Sequence, residues 1–343
     1  MNKLLGFVLK LFFALTCLTC QFSCITEESF EDSPRGNFEA LWSELDKHYC
    51  FFEYKNKEFG LDWNNVHAKY SKMINQSMDS RQMFEVLANM TYELRDGHVN
   101  LYAAHNVARY GKWFDDYPAN YSDSLERIYL GKSNEYQLTS GMSYKILRNN
   151  IGYVRCSSFN QAFGDGNLSE IFRYLSSCQG LIVDVRNNGG GMLSSAEKFA
   201  SCFINEDLVV CYMSHKTGAG HNDFSPPIRV IVKPFSGLRW QKPVAILTNR
   251  STYSAANSFV MFMKGLNLVT IIGDKTGGGA GMPFSSELPC GWAIRFSACP
   301  MYDRNMQQTE MGIDPDLKIN ISQSDYNHGI DSIIEKAIEV LSN

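Results

Sequence analysis

Several features that would mark a nucleic-acid, membrane-spanning or metal-dependent protein are missing from this 343-residue chain. Lysine plus arginine number 32 against 36 acidic residues, a net charge of −4, with no large run of either sign. A nucleic-acid binder needs a basic face or stripe to neutralise phosphates, so no nucleic-acid partner is expected. The uncharged apolar run near the start, residues 11–20, is half of the ~20 residues that span a bilayer. Among the seven cysteines that follow Cys24 none are spaced C-x2-C, and seven is an odd number, which argues against a zinc ribbon, a redox pair or a complete disulfide framework. Neither G-x4-G-K-[ST] nor G-x-G-x-x-G occurs, which removes phosphate-loop and dinucleotide sites. No metal-ligand cluster stands out, so no cofactor is expected. There is no internal repeat and no low-complexity segment.

What is present is a chain able to bury a large core. It is 44% hydrophobic and holds 22 Phe, 17 Tyr and 5 Trp. At ~150 residues per domain, two units are expected. Residues 1–23 read as a secretory signal: Lys3 and Lys10, a short apolar middle, and Ser23 before Cys24. Ser23-Cys24 looks like the end of a bacterial lipoprotein signal, which makes Cys24 the lipidated residue and residues 24–35 a tether. That address implies a lipid-anchored protein of the bacterial cell envelope, with the membrane as a partner through its lipid.

Residues 36–100 read as a helical N-terminal subdomain. Phe38, Leu41, Trp42 and Leu45 fall at i, i+3, i+4 and i+7, and the pattern recurs with Trp63, Val66 and Tyr70, then with Met83, Val86, Leu87 and Met90. Asp62 and Ser80 are the expected N-caps. Residues 101–142 read as connecting loops and short strands. From 143 to 325 strands alternate with helices of ten to twelve residues, as in an α/β core of βα units covered on both faces. Residues 326–343 read as a C-terminal helix.

Three places carry the chemistry. In Asp184-Val-Arg-Asn-Asn-Gly-Gly-Gly191 a buried strand runs into three glycines and a helix, where exposed N–H groups suit an oxyanion or a phosphate. In Thr252-Tyr-Ser-Ala-Ala-Asn257 a serine stands where a helix of small residues begins, near the free N–H groups of its first turn. G-x-S-x-G is absent, which disfavours an α/β-hydrolase. The third is a pair: Asp96-Gly97-His98 closes the helical region, and Glu310-Met-Gly-Ile-Asp-Pro-Asp316 lies near the C-terminus. A serine, a histidine and a carboxylate brought together from distant points are what acyl transfer requires.

With Gly273-Asp-Lys-Thr-Gly-Gly278, these segments occur in an order and spacing that resemble the tail-specific (C-terminal-processing) and tricorn-core family of serine peptidases, over about residues 36–320. The resemblance implies a ClpP/crotonase-like core of stacked βα units with an N-terminal helical cap, and hydrolysis of peptide bonds in peptides or unfolded protein segments. Tail-specific members use a lysine 25 residues after the nucleophile. Here that position is Gly279, and Lys275 is the nearest lysine. The tricorn-like pattern fits better: Ser254 as nucleophile, His98 as base and then acid, Glu310 as the group that orients it, and Gly189, Gly190 and Ala255 as oxyanion donors. Tricorn has a serine before the histidine where this chain has Gly97, so Glu310 is expected to reach His98 directly or through water, or Asp96 to help. The stretch between His98 and the strand at 144 is too short for the ~90-residue PDZ domain of tail-specific members. Tricorn-like relatives assemble, which makes a homo-oligomer one of the states the resemblance implies. Two rival readings are a silent binder on the same fold, as in the retinoid-binding modules of the eye, and an esterase or acyltransferase using the same three residues.

Overall fold

The computed structural model describes residues 29–343. The signal segment 1–23, the lipidation residue Cys24 and residues 24–28 of the tether lie outside the described residues. The first helix, α1 (Pro34–His48), already begins inside the stretch read as tether, because Ser33 caps it and Pro34 has the right φ for a first helical residue. Three more helices follow: α2 (Phe52–Phe59), α3 (Trp63–Tyr70) and α4 (Ser80–Tyr92). Asp62 caps α3, whereas α4 is capped by Asp79 rather than by Ser80. The Asp79 carboxylate accepts from the Arg81 and Gln82 N–H groups, and the Gln82 side chain accepts from the Asp79 N–H, a reciprocal capping box.

Residues 101–142, read as loops and short strands, hold the β1 (Asn100–Ala103) and β2 (Asn106–Arg109) hairpin and also a helix, α5 (Asp123–Leu130). The chain continues through β3 (Gln137–Thr139), β4 (Met142–Leu147), β5 (Ile151–Cys156), α6 (Asp165–Tyr174), β6 (Gly180–Asp184), α7 (Leu193–Ser201), β7 (Leu208–Met213), β8 (Ile228–Val232), β9 (Val244–Thr248), α8 (Ala255–Met263), β10 (Val269–Gly273), β11 (Gly281–Glu287), β12 (Ala293–Tyr302) and β13 (Leu317–Lys318). Two helices end it, α9 (Gln323–Asn327) and α10 (Ser332–Ser342).

Seven strands form one sheet in the order β13-β10-β9-β6-β5-β4-β3, parallel from β13 to β5 and antiparallel beyond. Its central strands are apolar without alternation because both faces are covered. Leu181, Val183, Val244 and Ile246 pack towards α6, α7 and α8, while Ile182, Ala245 and Leu247 pack under α10. The second sheet is antiparallel, in the order β2-β1-β12-β7-β8 with β11 also on β12. One face of it, through Leu101, Ile294 and Phe296, completes the core of the helical cap. The cap is therefore no separate unit: a strand from the last quarter of the chain closes its core.

Helix α8 is buried along its whole length. Its Phe259 ring stacks on Phe199 at 5.2 Å and meets Phe159 at 5.7 Å. We expect Phe259→Ala to lower stability by about 3–5 kcal/mol, the usual cost of an emptied aromatic core position. A shift of the urea midpoint equivalent to less than 1 kcal/mol would contradict this packing.

Candidate active site

Ser254 lies between the turn after β9 and the first residue of α8. Its backbone has φ 56° and ψ −125°, a region that costs a residue with a side chain about 1–3 kcal/mol. Neighbouring segments hold it there. The Ser254 N–H donates to Gly278 O at 2.8 Å, the Tyr253 N–H to Asn188 O at 3.0 Å, and the Gly277 N–H to Thr252 O at 2.8 Å. So constrained, the hydroxyl makes no cap bond to its own helix and instead lies 2.9 Å from His98 Nε2.

His98 is buried in the turn after α4, with its N–H donating to Asp96 Oδ1 at 2.7 Å. Asp96 Oδ2 accepts from Tyr49 Oη at 3.0 Å and from Ser297 Oγ at 2.9 Å, which ties this turn to the end of α1 and to β12. Burial pulls the His98 pKa down to about 4, against the nearby Asp96 charge, which raises it. At neutral pH the imidazole is therefore uncharged and able to accept a proton. Its Nδ1 is buried and has no hydrogen-bond partner among the described residues. Asp96 thus acts on His98 through the backbone and through its charge.

The glycine loop between β6 and α7 runs alongside. Of the three predicted oxyanion donors, Gly190 is already engaged: its N–H donates to Asn188 Oδ1 at 2.9 Å. Its role is to let two segments meet, since a Cβ there would lie 2.8 Å from both Ala255 N and Ser254 Cβ. Among the described residues the N–H groups of Gly189 and Ala255 are in no hydrogen bond, and Ala255 is in the first turn of α8, where such groups are left unpaired. Beneath the loop, Arg186 donates to Asp184 and Asp331 in a fully buried network that holds the strand end in place.

Glu310 is buried and makes no hydrogen bond to His98. Its Oε1 lies 3.1 Å from Lys55 Nζ, and its Oε2 accepts from the Ala280 N–H at 2.9 Å. Its backbone carbonyl takes the Gly279 N–H at 3.1 Å. Glu310 thus fixes residues 278–280, the segment whose Gly278 carbonyl holds the Ser254 N–H. Burial and the Asp96 charge push its pKa upward, while the Lys55 ammonium and the Ala280 N–H hold the charged form. Lys275 does not join this group: its N–H donates to Asp274, and its half-exposed side chain makes no hydrogen bond or ion pair among the described residues.

The departures at 97 and 279 have a common physical cause. Tyr253 stacks on Trp113 with ring centroids 4.6 Å apart and lies 5.0 Å from the His98 ring. A Cβ on Gly97 would come 2.9 Å from Tyr253 Oη, and one on Gly279 would come 2.5 Å from the Tyr253 ring. The aromatic pair fills the room that a side chain at either position would need.

The functional residue that sequence reasoning missed is Lys55. It is fully buried on α2, bonded to Arg95 O as well as to Glu310. The only signal was its position, four residues after Phe51 and four before Phe59, on a face otherwise apolar. Among the described residues no group of three or more His, Cys, Asp or Glu is placed to hold a metal. We expect Lys55→Met, which strands the Glu310 carboxyl, to cost about 3–5 kcal/mol. Adding Glu310→Gln should recover part of that loss. Simple additivity of the two losses in denaturant unfolding would rule out a direct pair.

Comparison with known proteins identifies the family. Residues 150–319 match the model of peptidase family S41, and residues 30–91 match the tricorn protease C1 domain. A solved structure of a candidate peptidase from Parabacteroides merdae is 46% identical and superposes with a TM-score of 0.86, over 91% of this chain and 97% of that one. Among curated proteins, the tricorn protease of Thermoplasma acidophilum is 28% identical over 197 residues, 56% of this chain and 16% of its own length. The carboxy-terminal processing protease CtpA of Bacillus subtilis is 23% identical over 176 residues, 50% of this chain and 36% of its length. The chain thus spans only about a sixth of the tricorn protease and about a third of CtpA. The family's domain composition, fold and order of motifs converge, and the chain belongs to peptidase family S41, the serine-type peptidases that include the tail-specific and tricorn proteins.

Proposed function

We propose that the protein hydrolyses peptide bonds in peptides or unfolded protein segments through an acyl-enzyme on Ser254. The observation that carries this reading is the 2.9 Å contact between Ser254 Oγ and the uncharged His98, on a serine held in a strained backbone beside two unpaired N–H groups. Ser254 Oγ attacks the substrate carbonyl carbon as His98 Nε2 takes its proton. The oxyanion that forms is stabilised by the Gly189 and Ala255 N–H groups, each worth ~10²–10³ in rate. Collapse breaks the C–N bond, His98 returns the proton to the departing amine, and water repeats the sequence on the ester. The Asp96 charge favours the imidazolium that appears midway. Glu310 and Lys55 are positioning residues, acting through residues 278–280 on the backbone of Ser254.

The sequence of residues 1–24 supports a lipid-anchored protein of the bacterial cell envelope, with Cys24 carrying the lipid. Radiolabelled palmitate should enter the full chain expressed in a bacterium and not its Cys24→Ala variant, and equal labelling of the two would refute the anchor.

The decisive experiment incubates the protein and its Ser254→Ala variant with a mixed peptide library read by mass spectrometry. Cleavage by the parent alone is expected, with the variant folded and inert. Cleavage by both, or by neither, sinks the assignment. Because His98 must be neutral to act, kcat/KM should rise with pH along a limb centred near 4, where the buried imidazole loses its proton. A limb centred at the ordinary histidine value near 6.5 would show that the site is open to water in solution.

A further inference from the structure

Two arginines beside the candidate site carry positive charge that nothing in the described fold answers. On the second sheet, Asn100 of β1 is directly opposite Arg109 of β2 and Arg295 of β12. Directly opposed residues share a sheet face, and successive residues take opposite ones. Leu101, Ala108 and Ile294, one step along each strand, are buried in the cap core. Asn100, Arg109 and Arg295 therefore stand on the other face. That face continues directly from His98: Asn100 is two residues further on, and its side chain is tied back to the Gly97 carbonyl at 3.2 Å. Tyr102 and Val107, next along the same face, are 40% and 52% exposed.

Arg155, Arg186 and Arg250 each bond to carbonyls or carboxylates of the fold. Neither Arg109, which is exposed, nor Arg295, half-buried, has a hydrogen bond or ion pair among the described residues. Their charges nonetheless reach the chemistry. Burial does most to lower the His98 pKa and Asp96 opposes it, but Arg295 and Arg109 push it down further. Arg109 and Arg295 flank Asn100 from the two neighbouring strands, about 10 Å apart at the backbone on one face, and the planar donor fork of a guanidinium matches a carboxylate.

We propose that Arg109 and Arg295 form a subsite that holds a carboxylate of the peptide substrate beside the reacting bond, with Tyr102 and Val107 receiving an apolar residue next to it. This rests on the peptidase reading above. The carboxylate is either an acidic side chain or a free C-terminus, and the test separates the two.

Full-length Ser254→Ala protein, which cannot turn substrate over, is titrated into three fluorescent mixtures of eight-residue peptides randomised over uncharged residues. One mixture is amidated and carries no acid, one is amidated with a single Glu moved through every position, and one has a free C-terminus. Anisotropy should show at least one carboxylate mixture binding roughly tenfold or more tightly than the acid-free one. Arg109→Gln with Arg295→Gln in the same background should remove that difference, and the two lysine substitutions should retain part of it. Gain with the Glu mixture identifies a side-chain carboxylate, and gain with the free acid identifies the C-terminus. Equal binding of all three mixtures, or a preference that survives loss of both arginines, overturns the subsite. In turnover by the active protein, the double Gln variant should raise KM for acidic peptides while kcat falls little. Failure of the active protein to cleave any peptide would refute the peptidase reading alone, because the binding experiment does not depend on hydrolysis.

Discussion

The candidate site depends on one buried ion pair. Lys55 comes from the helical cap and Glu310 from the segment before the last strand, and neither is meaningfully exposed. Removing both charges from water is costly, and their mutual attraction offsets this only with good geometry and further hydrogen bonds. Both conditions are met: the ammonium also reaches Arg95 O, and the carboxylate also takes the Ala280 N–H. From there the order passes by backbone hydrogen bonds to Gly278 and so to Ser254. A pair of this kind contributes less to total stability than to choosing one arrangement, since any displacement of the cap strands a charge in an apolar interior.

The parallel sheet supplies the other half of the site. Two adjacent strands, β6 and β9, end at the same level, and each leads through a tight turn into a helix. The glycine loop after β6 and the serine turn after β9 are therefore neighbours by topology, as expected at the carboxyl ends of parallel strands. Strain at Ser254 persists because three backbone hydrogen bonds from different segments converge on its turn. The antiparallel sheet begins two residues after His98, and its Arg109 and Arg295 stand on the face that continues from that histidine.

Much of this was legible from residue order. The βα alternation, the serine at a helix start, the glycine loop and the Asp-Gly-His turn are local patterns, and local patterns survive without coordinates. The strand pairing of β11 and β12 was not legible, because an antiparallel sheet half-exposed to water has a mixed pattern that resembles loop. Nor was α5 visible, with only Leu125 and Leu130 buried along it. Lys55 was hidden for a different reason: a charged residue on an apolar helix face looks like an interruption until its partner, 255 residues away in sequence, is known. The expectation that Glu310 orients His98 came from resemblance, and the side chain turns instead to Lys55 and the Ala280 N–H.

Ser254 and His98 are 156 residues apart in the chain, and the cap that carries the histidine is closed by a strand beginning at Ala293. A chain leaving the ribosome therefore presents His98 long before Ser254, and the cap core stays open until β12 has been made. The contact between these two side chains is in this sense among the last features acquired during synthesis. In a nascent copy the fold therefore keeps Ser254 and His98 apart until nearly the whole polypeptide is in place.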